Sequence, residues 1–275
     1  MMTALEIQRA RAGAIAREVV ARSPEDAITV IFAGGSLARG EVWAAEIDGL
    51  WEIYSDVDIY VVVRDPGTAA RVREVGHRVA TNPPRMDGVH FLRNPDIGVY
   101  TPADLRAQPL RPGTTDLGKH HVRLYGDADV ASLCPGGGAI EAAEALYLLE
   151  NRMLELSEGG EVTAPAQGRL ACVRALKARM DIHAAHALVA GDFDPVLAVR
   201  AKLLRVQPPS TMDASGRDDA AGAYRAAGDL AHWLHAHDDA TRELAQAGAA
   251  LADAWQTLAR VVLTRASAPA AELIA

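Results

Sequence analysis

Cysteine is almost absent. Cys134 and Cys172 are the two cysteines in 275 residues. They stand far apart and form no CxxC pair, which excludes a disulfide framework and a cysteine zinc site and fits a reducing, cytoplasmic compartment. No stretch approaches the roughly eighteen uninterrupted apolar residues of a membrane helix, so no membrane partner is expected. The opening segment MMTALEIQRARAGAIAREVVARS spreads its arginines throughout and has no continuous apolar run, so it does not read as a signal peptide. Positive charge is also in deficit, with 28 Lys and Arg against 36 Asp and Glu and a formal net charge of −8. That balance disfavours nucleic acid and anionic membrane as partners and fits work on a small, cationic molecule. A basic stripe interleaved with aromatics, the usual footprint of a nucleic-acid binder, is missing as well. What is present is an apolar fraction of 49%, which places the chain among globular proteins and admits one large domain or two ordinary ones.

Apolar residues Leu5, Ala12, Ile15, Val19 and Val20 recur at helical spacing, which predicts an amphipathic helix over about 4–22. AITVIFAG from Ala27 and DIYVVVRD from Asp58 read as buried strands. GTAARVREVGHRVATN reads as a helix stopped by Pro83 and Pro84. GVHFLR and DIGVY follow as one bulged strand or two short ones, and VRLYGD closes this half. CPGGGAI then marks a linker. Beyond it the composition turns to alanine, leucine, arginine and glutamate at three and four spacing, which predicts a helical bundle. The expected fold class is α+β: a small mixed-sheet domain over 1–134 and an all-α bundle over 135–275. The loop QPPSTMDASGRD is expected to be mobile.

Two short stretches carry the chemistry. In FAGGSLARGE a strand ends in Gly34, Gly35 and Ser36 before a short helical run. Such a loop brings backbone N–H groups and a hydroxyl to phosphate oxygens, and glycine lets the backbone come close. In YSDVDIYVVV, Asp56 and Asp58 are two residues apart at the head of a strand, so both carboxylates project from one face. Like charges at that spacing repel, and a divalent cation such as Mg²⁺ relieves the repulsion. Each stretch alone has an ordinary reading, a glycine turn and a strand head that faces water.

Together, GGS after one strand and Ser-Asp-Val-Asp before the next resemble the signature of the polymerase-β-type nucleotidyltransferase superfamily. The resemblance is sharpest over 28–63 and extends to Gly126. It implies that Gly35 and Ser36 grip the β- and γ-phosphates of ATP or another nucleoside triphosphate, and that Arg39 adds positive charge. It also implies that Asp56 and Asp58 coordinate two Mg²⁺ ions while an acceptor hydroxyl attacks the α-phosphorus and pyrophosphate leaves. The family needs a third carboxylate on a later strand. Asp96, at the head of DIGVY, is the first choice, and Asp87 the rival. EVWAAEIDGLWEI, between the two halves of the motif, is longer than in minimal members and is expected as a flap. The implied activity is transfer of AMP to a hydroxyl of a small polar acceptor such as an aminoglycoside or a sugar-like metabolite.

In the helical half, LYLLENRMLELSEG resembles the helix that follows the catalytic domain in aminoglycoside-type nucleotidyltransferases. Its Glu150, Asn151 and Arg152 are expected on an exposed face rather than toward an acceptor. His183, His186, His232, His235 and His237 are expected as solvated or half-buried rings rather than zinc ligands. Arg179 and His186 resemble the Arg…His pair of HEPN-type ribonucleases, although Met180 replaces the usual polar residue. Two alternatives therefore stay open: a protein-AMPylating, antitoxin-like regulator, and a degenerate nucleotide-binding protein. The oligomeric state is also open, a homodimer included.

Overall fold

The computed structural model describes residues 2–136, 138–158, 164–237 and 239–272, with side chains through 264. The chain divides into two units, Met1–Gly138 and Ala139–Ala275. The first is mixed α and β, and the second has helices and no strand among its described residues. Among the described residues no helix is long and apolar enough to cross a membrane.

The first unit is organised by a four-stranded sheet in the order β6-β4-β1-β7. The strands are β1 (Ile28–Ala33), β4 (Asp58–Val63), β6 (Asp96–Tyr100) and β7 (Val122–Tyr125). The two central strands, β1 and β4, are nearly continuous runs of β-branched residues because both of their faces are covered. On one face Ile31, Ala33, Ile59, Val61 and Val63 pack with α1 (Ala4–Arg22) and α3 (Pro66–Thr81). On the other, Val30, Phe32 and Val62 meet Leu105 of α4 (Pro102–Arg106), Leu117, and Val130 and Leu133 of α5 (Val130–Leu133).

Local chemistry sets the helix ends. Thr3 and Glu6 form a capping box that starts α1. The Asp65 carboxylate accepts hydrogen bonds from Gly67 and Thr68 at the head of α3, and Pro66 takes the first turn, where its missing N–H does no harm. Helix α3 carries the chain from β4 across to β6, which lies parallel to β4. A parallel crossover brings strand starts, not a start and an end, to the same edge. Asp58 and Asp96, the first residues of β4 and β6, are therefore register partners.

The stretch expected as a flap folds into a hairpin. β2 (Ala44–Ile47) and β3 (Leu50–Ile53) are joined through Asp48 and Gly49, both at positive φ, as a two-residue type I′ turn demands. β3 then pairs in parallel with β5 (Val89–Phe91) to complete a second, three-stranded sheet. GVHFLR and DIGVY are thus two strands in two different sheets.

In the helical unit α7 (Pro165–Ala190) packs against α6 (Glu144–Ser157), α9 (Ala214–Gly228) and α11 (Ala240–Glu272). Buried Ala175, Ala178, Ala185 and Ala247 let these helices approach closely. α8 (Leu197–Val206) and α10 (Leu230–Ala236) complete the described helices. Glu150 and Asn151 lie exposed, as expected. Arg152 differs, because it turns inward to Asp181 at 2.6 Å, and Asp181 also takes Arg200 at 3.2 Å. The loop expected to be mobile is packed: Met212 is buried, and the Asp213 side chain accepts from Gly216 N–H to cap α9.

Gly126 ends β7 at φ 75°, where a Cβ would lie 2.2 Å from the carbonyl oxygen of Thr29. Gly126→Ala therefore combines left-handed backbone strain with a backbone clash. Denaturant unfolding should show a loss of about 2 kcal/mol or more; an unchanged midpoint would contradict the packing of β7 on β1.

Candidate active site

The head of β4 is held from three directions. From α1, Gln8 Nε2 donates to the carbonyls of Ser55 at 2.9 Å and Asp56 at 3.0 Å. From the hairpin base, Trp43 N–H donates to Ser55 Oγ at 2.8 Å. From β6, Asp96 N–H donates to the Val57 carbonyl at 2.9 Å. The Ser-Asp-Val-Asp segment is thus fixed through its backbone and the Ser55 hydroxyl.

The glycine loop lies directly against this segment. Gly34 N–H donates to the Asp58 carbonyl at 3.0 Å. Gly35 sits at φ 61°, and a Cβ there would be 2.1 Å from Asp58 Oδ2. Only glycine combines that dihedral with so close an approach, so the loop lies directly against the Asp58 carboxylate. Ser36 follows at the start of α2 (Gly35–Arg39), partly exposed.

The predicted acids separate by environment. Asp58 and Asp96 are register partners across the parallel pair, with Asp96 exposed. Asp56 is turned to Arg93, whose Nη2 lies 3.2 Å from Asp56 Oδ2. Asp87 is exposed just ahead of β5, in the other sheet, and is not brought to the β4 head. Beneath the acids, Tyr60 stacks between Phe32 at 5.1 Å and Tyr100 at 5.9 Å. Burial first, and then the charges of Asp58, Asp96 and Asp116 among others, push the Tyr60 phenol far up, so it stays protonated. That shared influence marks where negative charge converges.

Arg39 does not project a spare charge. Its Nε donates to Glu41 at 2.8 Å and its Nη1 to Asp116 at 3.1 Å. Burial opposes the guanidinium charge, but Glu41 and Asp116 outweigh it and raise the pKa. Arg39 thus ties the glycine loop to the turn at Asp116. The second oxygen of that carboxylate, Oδ1, is buried without a hydrogen-bond partner among the described residues.

Several residues of the site escape a reading by motif. Gln8 and Arg11 are fully buried on α1 among Ile7, Ala12 and Ile15. Arg11 Nη2 donates to the Arg93 carbonyl at 3.0 Å, and its guanidinium lies 3.9 Å over the Phe91 ring. Burial lowers its pKa to about 10, against the pull of Asp56. Their signal in the sequence is polar side chains at helical spacing inside an apolar stripe.

Among the described residues, no three His, Cys, Asp or Glu side chains form a ready-made metal cage. The donor set nonetheless suits Mg²⁺. This ion is commonly held by one or two carboxylates together with substrate phosphates, rather than by an all-protein cage. Asp58, against Gly35, and its register partner Asp96 would supply the protein's share.

The histidines have hydroxyl and aromatic partners. His183 Nδ1 meets the Tyr224 hydroxyl at 3.0 Å and His186 Nδ1 meets Thr211 Oγ1 at 2.8 Å. His237 stacks on Trp233 at 4.4 Å, while His232 and His235 are exposed. Arg179 is held by Glu243 at 2.9 Å. No protein-family model matches the chain, and no curated protein sequence matches it either.

Burial lowers His183 and His186 to about 4 each, helped at His183 by Arg200 and His186 and opposed at His186 by Asp213 and Asp253. An unfolded imidazole titrates near about 6.5, so the unfolded chain binds more protons between that value and about 4. The resulting stabilisation is complete above the unfolded value and is lost as pH falls through the window. Unfolding midpoints between pH 7 and 4.5 should therefore drop more steeply for the wild type than for a His183→Gln, His186→Gln double variant. Equal slopes would show that the rings are not held neutral.

Proposed function

We propose that the β4 head, β6 head and glycine loop form the centre of a nucleotidyltransferase of the polymerase-β type. It would transfer a nucleoside monophosphate, AMP from ATP, to a hydroxyl of a small polar acceptor. The observation that supports this best is the register of Asp58 opposite Asp96, with Gly35 against the Asp58 carboxylate. Paired acids next to a close-approach glycine suit a triphosphate and its divalent counterion.

In this reading the Gly35–Ser36 segment receives the β- and γ-phosphates and Asp58 and Asp96 hold Mg²⁺. When bound, Mg²⁺ neutralises charge on the triphosphate and on the leaving pyrophosphate. Exposed Asp96 accepts the proton of the acceptor hydroxyl as that oxygen attacks the α-phosphorus in line. The bond to the bridging oxygen breaks and pyrophosphate leaves. Asp56, charge-paired with Arg93, completes the anionic edge, while Gln8 and Arg11 keep the strand heads in place. Arg39 acts as a positioning residue for the loop and not as a phosphate ligand. The net charge of −8 favours a cationic acceptor of the aminoglycoside or amino-sugar kind.

Pyrophosphate release from ATP and Mg²⁺ should depend on a small hydroxylated acceptor. Asp58→Asn and Asp96→Asn should each lower it by about a hundredfold or more, as expected for loss of a group that stabilises phosphoryl transfer, whereas Asp87→Asn should leave it within about twofold. Label transferred to protein would point to the AMPylating alternative. Binding of ATP without turnover would point to a nucleotide-binding protein. Wild-type turnover in Asp58→Asn would end the proposal.

A further inference from the structure

The family resemblance implies that Asp56 is a metal ligand, yet its carboxylate already has a partner. Arg93 Nη2 lies 3.2 Å from Asp56 Oδ2, and the two side chains are 19% and 25% exposed. The pair is held from its backbone outward. Leu92 N–H donates to the Ile53 carbonyl at 3.0 Å and Asp96 N–H to the Val57 carbonyl at 2.9 Å, which clips the segment carrying Arg93 to the approach to β4 at both ends. From α1, Arg11 Nη2 donates to the Arg93 carbonyl at 3.0 Å, and Gln8 Nε2 donates to the Asp56 carbonyl at 3.0 Å. One helix thus fixes the backbone of both partners.

Arg11 draws on the same carboxylate. It is 1% exposed, and among the described residues its guanidinium has that one hydrogen bond, the Phe91 ring and no ion pair. Its Nε and Nη1 are buried without hydrogen-bond partners. A buried charge persists only where an opposite charge compensates it, and removing that compensation is strongly destabilising. Asp56 supplies the attraction that opposes the burial of Arg11. A divalent cation on Asp56 would compete with Arg93 and cancel the anion that keeps Arg11 charged. The other two acids differ. Asp58 Oδ2 lies against the Gly35 backbone, and Asp96 is exposed and makes no ion pair among the described residues.

We propose that Asp56 is the counter-ion of Arg93 and Arg11 rather than a metal ligand, and that the site takes one divalent cation, at Asp58 and Asp96, where the resemblance implies two. Arg93 then supplies the positive charge beside Asp56. The proposal rests on the nucleotidyltransferase reading and narrows it to a one-ion site, with Arg11 and Arg93 as positioning residues.

Metal stoichiometry and metal-free stability test it together. Mn²⁺ dialysed against the full chain with a non-hydrolysable ATP analogue should saturate at one bound ion per chain. Its electron paramagnetic resonance should be that of an isolated ion, since two ions about 4 Å apart would couple their spins. Asp56→Asn should keep the ion within about threefold of wild-type affinity, and Asp58→Asn should lose it. Without metal, Asp56→Asn should lower the urea midpoint, because a counter-ion is lost; removal of an acid from a repelling metal-ligand pair would raise it. Two ions or a spin-coupled signal in the wild type would overturn the proposal and leave the nucleotidyltransferase reading standing. Loss of the ion in Asp56→Asn, or an unchanged or raised midpoint, would overturn it in the same way. Absence of bound Mn²⁺ in the wild type would overturn both. If Asp56→Asn fails to fold, as loss of a counter-ion allows, the wild-type count decides alone.

Discussion

The parallel pairing of β4 with β6 sets Asp58 and Asp96 in register, and the design of the first unit follows from that pairing. Adjacent strands run about 5 Å apart, so the two acids leave the sheet from neighbouring backbone positions, an arrangement in which like charges repel. A fold that only needed a strand start would avoid the repulsion with a neutral residue. The sheet keeps both acids, covers both of its faces so that the strands cannot shift, and crosses over through α3 so that both heads reach one edge. The glycine loop then closes on Asp58 at a distance that excludes any side chain on Gly35.

Holding like charges together requires a rigid surround, and α1 supplies much of it. A surface helix would bury an apolar stripe alone, yet this one also buries Gln8 and Arg11. Gln8 fixes the backbone at Ser55 and Asp56, and Arg11 fixes the backbone at Arg93, whose side chain in turn neutralises Asp56. Arg39 works on the other flank, joined to Glu41 and Asp116. The positive charges of Arg11, Arg39 and Arg93 are thus engaged within the fold around the strand heads.

Much of this was legible in the sequence where a residue type has a single physical use. The Asp-Val-Asp alternation and the glycines at the end of β1 were visible because strand periodicity and close backbone approach leave distinct marks. Asp96 was visible as an acid heading an apolar run, but its register with Asp58 depends on which strands pair, and no local pattern encodes that. The hairpin was missed although Asp48-Gly49 is a strong turn signal, because its strands are short and partly polar. Arg39 shows a different limit: an arginine beside a glycine loop looks the same in sequence whatever its partners, here Glu41 and the distant Asp116. The helical half was legible as a bundle from its alanine spacing, whereas the inward turn of Arg152 toward Asp181 was not, since helical spacing alone does not choose between a solvated arginine and a paired one.

The central claim is that Asp58 and Asp96 form a cation site completed by triphosphate, and metal binding tests it without relying on turnover. Mn²⁺ titrated into the protein with a non-hydrolysable ATP analogue, followed by electron paramagnetic resonance, should show saturable protein-bound Mn²⁺. That signal should be lost in the Asp58→Asn, Asp96→Asn double variant and kept in Asp87→Asn. Bound Mn²⁺ that persists in the double variant, or none in the wild type, would contradict it.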